Sequence, residues 1–275
     1  MPAHTLDRTP SLAPLLARGA LLSPFKKAAL KTASPDRPRP DAAHPDTRLV
    51  LPGVRVDLAR LAAYERVCGF PVGDESLPIT YPHVLGFPLA MLLMTDRDFP
   101  LPLLGLVHTS MEIVRWRPPS PAGTFELSVY VDELAPHRRG TEAAVQTELR
   151  EGDELVWESR STYLARHGSL GPGIGTQDAA ASTAAAAEEP EALPVVAEWR
   201  LGGDVGRRYA AASGDRNPIH LHALTARLFG FRRAIAHGMW TVARCLAAHG
   251  APESALVRAD FRAPVLLPGV VEYRA

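Results

Sequence analysis

Residues 209–220 read YAAASGDRNPIH, and AHGM follows at residues 236–239. In the first stretch, Asp204 can N-cap a helix that closes near Ser213 and Gly214, glycine being the residue that tolerates a left-handed exit. Asn217 followed by Pro218 has the form of an N-cap and first helical residue of a second helix. That places His220 in the first turn of the second helix and Asp215 just ahead of it. A helix N-terminus is positive, so it favours an ionised Asp215 and a neutral His220. A carboxylate beside a neutral imidazole can hold and activate one water, and general acid–base chemistry uses such a pair. Ser213 and Asn217 are small polar residues able to orient it. The competing reading is turn and capping chemistry alone, with His220 on the surface, because Gly-Asp-x-Asn-Pro is strong turn material.

Tyr-x-x-x-Ser-Gly-Asp-x-Asn-Pro-Ile-His, followed by a helix and Ala236-His237-Gly238-Met239, resembles the signature of the MaoC-like (R)-specific enoyl-CoA hydratases and dehydratases. The specific match covers residues 209–240, and a weaker architectural likeness covers roughly 47–275. The resemblance implies an α+β fold of hotdog domains, each a long helix wrapped by a curved antiparallel sheet. It also implies that Asp215 and His220 position the water that adds to C3 of a trans-2-enoyl thioester and exchange the proton at C2. Gly238 matches the glycine whose backbone N–H polarises the thioester carbonyl, a role that suits a helix N-terminus. Ser213 and Asn217 match positions that orient the pair. The reaction implied is reversible hydration to an (R)-3-hydroxyacyl thioester without cofactor or metal, on a CoA or acyl-carrier-protein substrate. The rivals are an acyl-thioester-binding hotdog protein that has lost turnover and a thioesterase on the same fold.

Outward from the signature, AHGMWTVARCLAAHG (236–250) has the character of a buried helix, and ALVRADFRAPVLLPGVVEY (255–273) that of two strands around a bend. Upstream, a helix-like segment at Leu58–Val67 precedes the almost wholly apolar YPHVLGFPLAMLLM (81–94). Strand-like runs follow at 106–116, 124–134, 141–152 and 154–166. The order apolar strand, Pro-containing bend, Gly, apolar strand recurs in both halves, which suggests duplication and two similar domains packed as a pseudo-dimer. We therefore expect a non-catalytic hotdog domain at 47–167 and a catalytic one at 195–275. The first lacks the Asp-x-Asn-Pro-x-His pattern, and its His83 is read as structural. Residues 168–194, rich in Gly, Ala, Ser and acidic residues, read as a linker. Residues 1–46 read as a flexible arm with a short helix around Leu12–Leu22 and a solvated basic patch of Lys26, Lys27 and Lys31. Because the sequence stops shortly after Asp260, the C-terminal sheet is expected to be incomplete and to expose an edge.

Composition narrows the function classes. Among 275 residues, Lys+Arg 30 balances Asp+Glu 30, which gives no global electrostatic case for nucleic acid. The two cysteines, Cys68 and Cys245, lie far apart in apolar surroundings and read as buried free thiols. No run approaches the roughly 20 apolar residues that span a bilayer, and no secretory pattern opens the chain. A cytoplasmic protein without membrane attachment is expected, and a homodimer is one assembly the reading allows. His220, His222 and His237 show no recognised metal-ligand spacing. Arg232 and Arg233 read as solvated.

Overall fold

The computed structural model describes residues 1–32, 47–166 and 193–275. The proline-rich residues 33–46 and all of the expected linker except residues 193 and 194 lie outside the described residues. The elements run β1 (Ala3–Thr5), α1 (Leu12–Thr32), β2 (Arg48–Arg55), α2 (Leu58–Cys68), α3 (Tyr81–Met94), β3 (Leu106–Arg115), β4 (Thr124–His137), β5 (Gly140–Glu151) and β6 (Glu154–Arg166). They continue as β7 (Val195–Leu201), α4 (Val205–Ser213), α5 (Pro218–Leu221), α6 (Ala223–Arg227), α7 (Gly238–His249), β8 (Ala255–Asp260) and β9 (Gly269–Arg274). Two compact units result, each assembled from three segments of chain. The first holds Met1–Leu58, Asp74–Gly168 and Pro252–Asp260, and the second holds Ala59–Gly73, Ser169–Ala251 and Phe261–Ala275.

The first unit is a sheet in the order β1-β2-β4-β5-β6-β3-β8, antiparallel apart from the β1–β2 pair, with α3 lying against β4 and β5. The α3 stretch forms a buried helix because it offers water no polar face: Tyr81, Val84, Leu89, Met91, Leu93 and Met94 are all buried. Each such apolar side chain contributes roughly 1.5–3 kcal/mol on burial. Trp157 of β6, fully buried, donates its indole N–H to the Ile79 carbonyl at 2.7 Å and so fixes the chain just before α3. The inner-face residues Phe125, Leu127, Val129, Val145, Leu149, Met111 and Ile113 complete this core. The fold is α+β, with a hotdog arrangement of helix and sheet.

Two expectations are corrected here. Within residues 1–32, the part of the expected flexible arm that is described, the helix is not short, because α1 runs through 21 residues and packs on α3. Its Arg18 pairs with Asp96 at 2.9 Å, and Lys26 donates to the Asp96 carbonyl at 2.5 Å while lying over the Phe99 ring. Burial, against the opposing pull of Asp96, lowers the Lys26 pKa to about 8, so this lysine is not simply solvated. The second correction concerns β8, read from sequence as part of the C-terminal module. It pairs antiparallel with β3, from Ser110↔Asp260 to Arg115↔Ala255, and belongs to the first unit's sheet.

The second unit is smaller. Its sheet, among the described residues, is the antiparallel pair β7–β9. α7 buries Met239, Trp240, Val242 and Ala243. α4 buries one stripe, Val205, Tyr209, Ala210, Ala212 and Ser213, and exposes Arg207 and Arg208. Cys68 and Cys245 are free thiols, and burial pushes the Cys68 pKa up to about 12. Among the described residues no helix is long and apolar enough to cross a membrane.

Candidate active site

All five residues singled out from the sequence lie in the second unit, on three short pieces of chain. α4 ends at Ser213, and Gly214 takes the left-handed conformation (φ 86°) with its N–H bonded to Ala210 O. A side chain at that φ would be strained, so glycine is what allows the chain to reverse there. Asp204 does precede α4, but its carboxylate makes an ion pair with Arg208 at 3.1 Å rather than a side-chain cap. The next turn is held by its own side chains. Asp215 N–H donates to Ser213 Oγ at 3.2 Å, Asn217 N–H to Asp215 Oδ1 at 3.1 Å, and Ile219 N–H to Asn217 Oδ1 at 3.4 Å. Asn217 and Pro218 therefore occupy the cap and first position expected of them, although α5 is only four residues long.

His220 is buried, not on the surface. Its Nδ1 lies 2.9 Å from the Ile235 carbonyl, and a carbonyl only accepts, so Nδ1 carries the proton and Nε2 keeps a lone pair. Burial lowers the His220 pKa below the ordinary histidine value, while the Asp215 charge opposes the shift. The neutral imidazole expected from the sequence thus has burial as its main physical cause. The backbone around it is tied down by Ile235 N–H donating to Ile219 O at 3.1 Å, and by Ala236 N–H to Val265 O and Leu267 N–H to Ala234 O, both 2.8 Å. Gly206 of α4 faces the His220 carbonyl so closely that a Cβ there would overlap it.

His237 joins the other two. Its ring stacks on that of His220 with centroids 3.7 Å apart, and Tyr209 lies 4.7 Å away on a tilt. Its Nε2 donates to the Asp215 backbone carbonyl at 3.0 Å and stands 3.9 Å from Asp215 Oδ2. Burial first, and then the His220 imidazole, push the His237 pKa down to about 3. Gly238 begins α7, whose first N–H groups have no intrahelical acceptor and carry the positive end of the dipole. The Phe261 ring lies over Gly238.

Asp215, His220 and His237 bring one potential ligand atom each within 4.8 Å of one another, a convergence that linear spacing did not reveal. Their hydrogen bonding suits a water better than a cation. His237 Nε2 is already committed as a donor, and moving its proton to Nδ1 would leave a buried N–H without an acceptor among the described residues. His222, Arg232 and Arg233, also weighed from the sequence, are exposed, and Arg233 donates to Pro268 O at 2.7 Å. His83 is buried in the first turn of α3.

Residues 192–274 match the model of the MaoC-like domain family. The chain is 34% identical over 238 residues to 3-hydroxyacyl-thioester dehydratase X of Mycobacterium tuberculosis, covering 86% of this chain and 82% of that protein. A crystal structure of the M. tuberculosis protein HtdX superposes with a TM-score of 0.68 at 33% identity, over 81% of this chain and 85% of that one. A MaoC-like dehydratase from Phytophthora capsici shares the fold, with a TM-score of 0.64 at 19% identity over 85% and 86% of the two chains. The sequence likeness extends over most of both chains, so this protein belongs to the family of MaoC-like dehydratases and is a hydro-lyase of the dehydratase/hydratase type.

Proposed function

We propose that the protein catalyses reversible hydration of a trans-2-enoyl thioester to the (R)-3-hydroxyacyl thioester, with Asp215 and His220 as the acid–base pair. The observation that carries this reading is the contact of His220 Nδ1 with the Ile235 carbonyl, which assigns the tautomer. With Nδ1 committed to Ile235 O, Nε2 keeps a lone pair, and a ligand atom of His220 lies within 4.8 Å of one of Asp215, so the pair can share a water and take a proton from it. The water oxygen forms its bond to C3 while one proton passes from water to the pair. The pair returns one proton to C2, so a whole water adds across the double bond and the enzyme ends as it began. Charge developing on the thioester oxygen during attack would be met by the N–H of Gly238 at the start of α7. Ser213 and Asn217 hold the Asp215 turn. The second unit is assigned the chemistry and the first a non-catalytic role, in keeping with where these groups lie. The reaction is placed in the cytoplasm, on CoA or acyl-carrier-protein thioesters.

The deciding experiment follows loss of enoyl-thioester absorbance with crotonyl-CoA, a longer trans-2-enoyl-CoA and a carrier-protein thioester, with a chiral assay of the product. Asp215→Asn and His220→Gln are each expected to lower the rate by about 10²–10⁴-fold in a folded protein. Wild-type-like turnover in either variant removes that residue from the mechanism. A folded wild-type protein that binds these thioesters without turning them over would support the binding-only rival. Because burial lowers the His220 pKa, the acid limb of the rate against pH should fall below pH 6.5. An acid limb above that value would speak against a buried neutral base.

A further inference from the structure

One face of α2 touches both α4, whose end leads into the Asp215 turn, and α7, which starts at Gly238. Arg60 donates from Nε to Ala212 O at 2.7 Å and from Nη2 to Ser213 O at 2.6 Å. Tyr64, one turn on, packs against Tyr209 with centroids 5.9 Å apart, and Tyr209 in turn packs against His237. The Val67 carbonyl, another turn on, accepts the indole N–H of Trp240 in the first turn of α7 at 2.8 Å. Spacings of four and three residues put positions 60, 64 and 67 on the same side of a helix.

The Arg60 contact is the most directed of these. Ala212 and Ser213 are the last two residues of α4, where carbonyls lack intrahelical partners and positive charge is favoured. A guanidinium can bond two successive carbonyls from one rigid fork, which a lysine cannot do. Immediately past those carbonyls come the Gly214 reversal and Asp215, whose N–H is held by Ser213 Oγ. We infer that Arg60 is a positioning residue: by clamping the exit of α4 it sets the direction from which the Asp215 carboxylate meets the shared water. This inference rests on the hydratase reading above.

The test compares Arg60→Gln and Arg60→Lys in the full chain, with wild type and Asp215→Asn alongside. It measures kcat and KM on whichever enoyl thioester the wild type turns over, and thermal unfolding of each protein. Misplacement of a reacting group costs rate more than binding, so Arg60→Gln should lose on the order of 10- to 100-fold in kcat with KM little changed. Arg60→Lys, which keeps the charge without the fork, should recover only part of that loss. Should Arg60→Gln fail to fold, Arg60→Lys alone decides, and a kcat equal to wild type overturns the inference. A kcat loss in Arg60→Gln that disappears when the folded fraction is restored by cooling overturns it too, since that is a purely structural effect. If wild type turns over, Asp215→Asn does not, and Arg60→Gln is unaffected, the inference alone falls. If wild type shows no turnover, the hydratase reading falls and takes the inference with it.

Discussion

His220 and His237 both sit buried and neutral against one another, and this has consequences for stability as well as chemistry. A histidine pKa lowered on folding means that the unfolded chain binds a proton more readily than the folded one. Stability from the pair is therefore complete above the ordinary value of 6.5 and is lost as pH falls toward the folded value, about 3 for His237. With about 1.4 kcal/mol per pH unit for one such group, His237 alone should cost the protein about 2 kcal/mol between pH 6.5 and pH 5. Urea unfolding at pH 7 and pH 5 measures this, and His237→Gln should lose less over the same interval; equal losses in the two proteins would count against the assignment. Gly206→Ala tests the other close contact. Forcing a Cβ against the His220 carbonyl should cost roughly 1–3 kcal/mol and reduce kcat. An alanine variant with unchanged unfolding and turnover would show that α4 and α5 can part freely. Asp215, His220, Ser213, Asn217 and Gly238 were legible in the sequence because they stand in one ordered signature. His237 and Arg60 were not, since stacking and a clamp from a helix more than a hundred residues upstream leave no local pattern.

Elements were legible to the extent that their own residues dictate them. α3 could be bounded from sequence because fourteen residues offer no polar face, and β3 to β6 because turn residues separate apolar runs. The partner of β8 could not be read. Its alternation of half-buried and exposed residues says which face turns inward, not which neighbouring strand it joins. α1 was under-read for a related reason. Pro24 and the lysines argue against a continuous helix locally, and only the tertiary contacts with Asp96 and Phe99 show why it persists. Those contacts make a prediction at this scale. Asp96→Asn removes the carboxylate that pairs with Arg18, so α1 amides should exchange with solvent faster while those of α3 keep their protection. Hydrogen exchange read by mass spectrometry separates the two helices, and unchanged exchange in α1 would mean the ion pair contributes nothing to docking, the common outcome for exposed pairs.

Across the whole chain, the two compact units do not follow a single cut through the sequence. The first takes Pro252–Asp260 from near the C-terminus, and the second takes Ala59–Gly73 from the N-terminal half. This has a direct consequence for fragments. Residues 195–275 alone would lack α2, and with it the Arg60 bonds to Ala212 and Ser213, the Tyr64–Tyr209 packing and the Val67 acceptor for Trp240. They would also carry β8 without β3, leaving a strand of half-buried side chains and unpaired backbone groups to solvent. Residues 1–167 alone would keep α3 and most of their sheet but leave β3 open along the edge where β8 pairs. The expectation is that 195–275 expressed separately shows no cooperative thermal transition and no turnover, whereas 1–167 retains secondary structure and tends to associate. Coexpression of the two fragments should restore a cooperative transition if the interleaved segments supply the missing contacts. Circular dichroism and gel filtration of the three preparations read this directly. A 195–275 fragment that unfolds cooperatively and hydrates an enoyl thioester on its own would show that the signature and its local turns suffice, and that α2 and the β3 pairing are dispensable to the site.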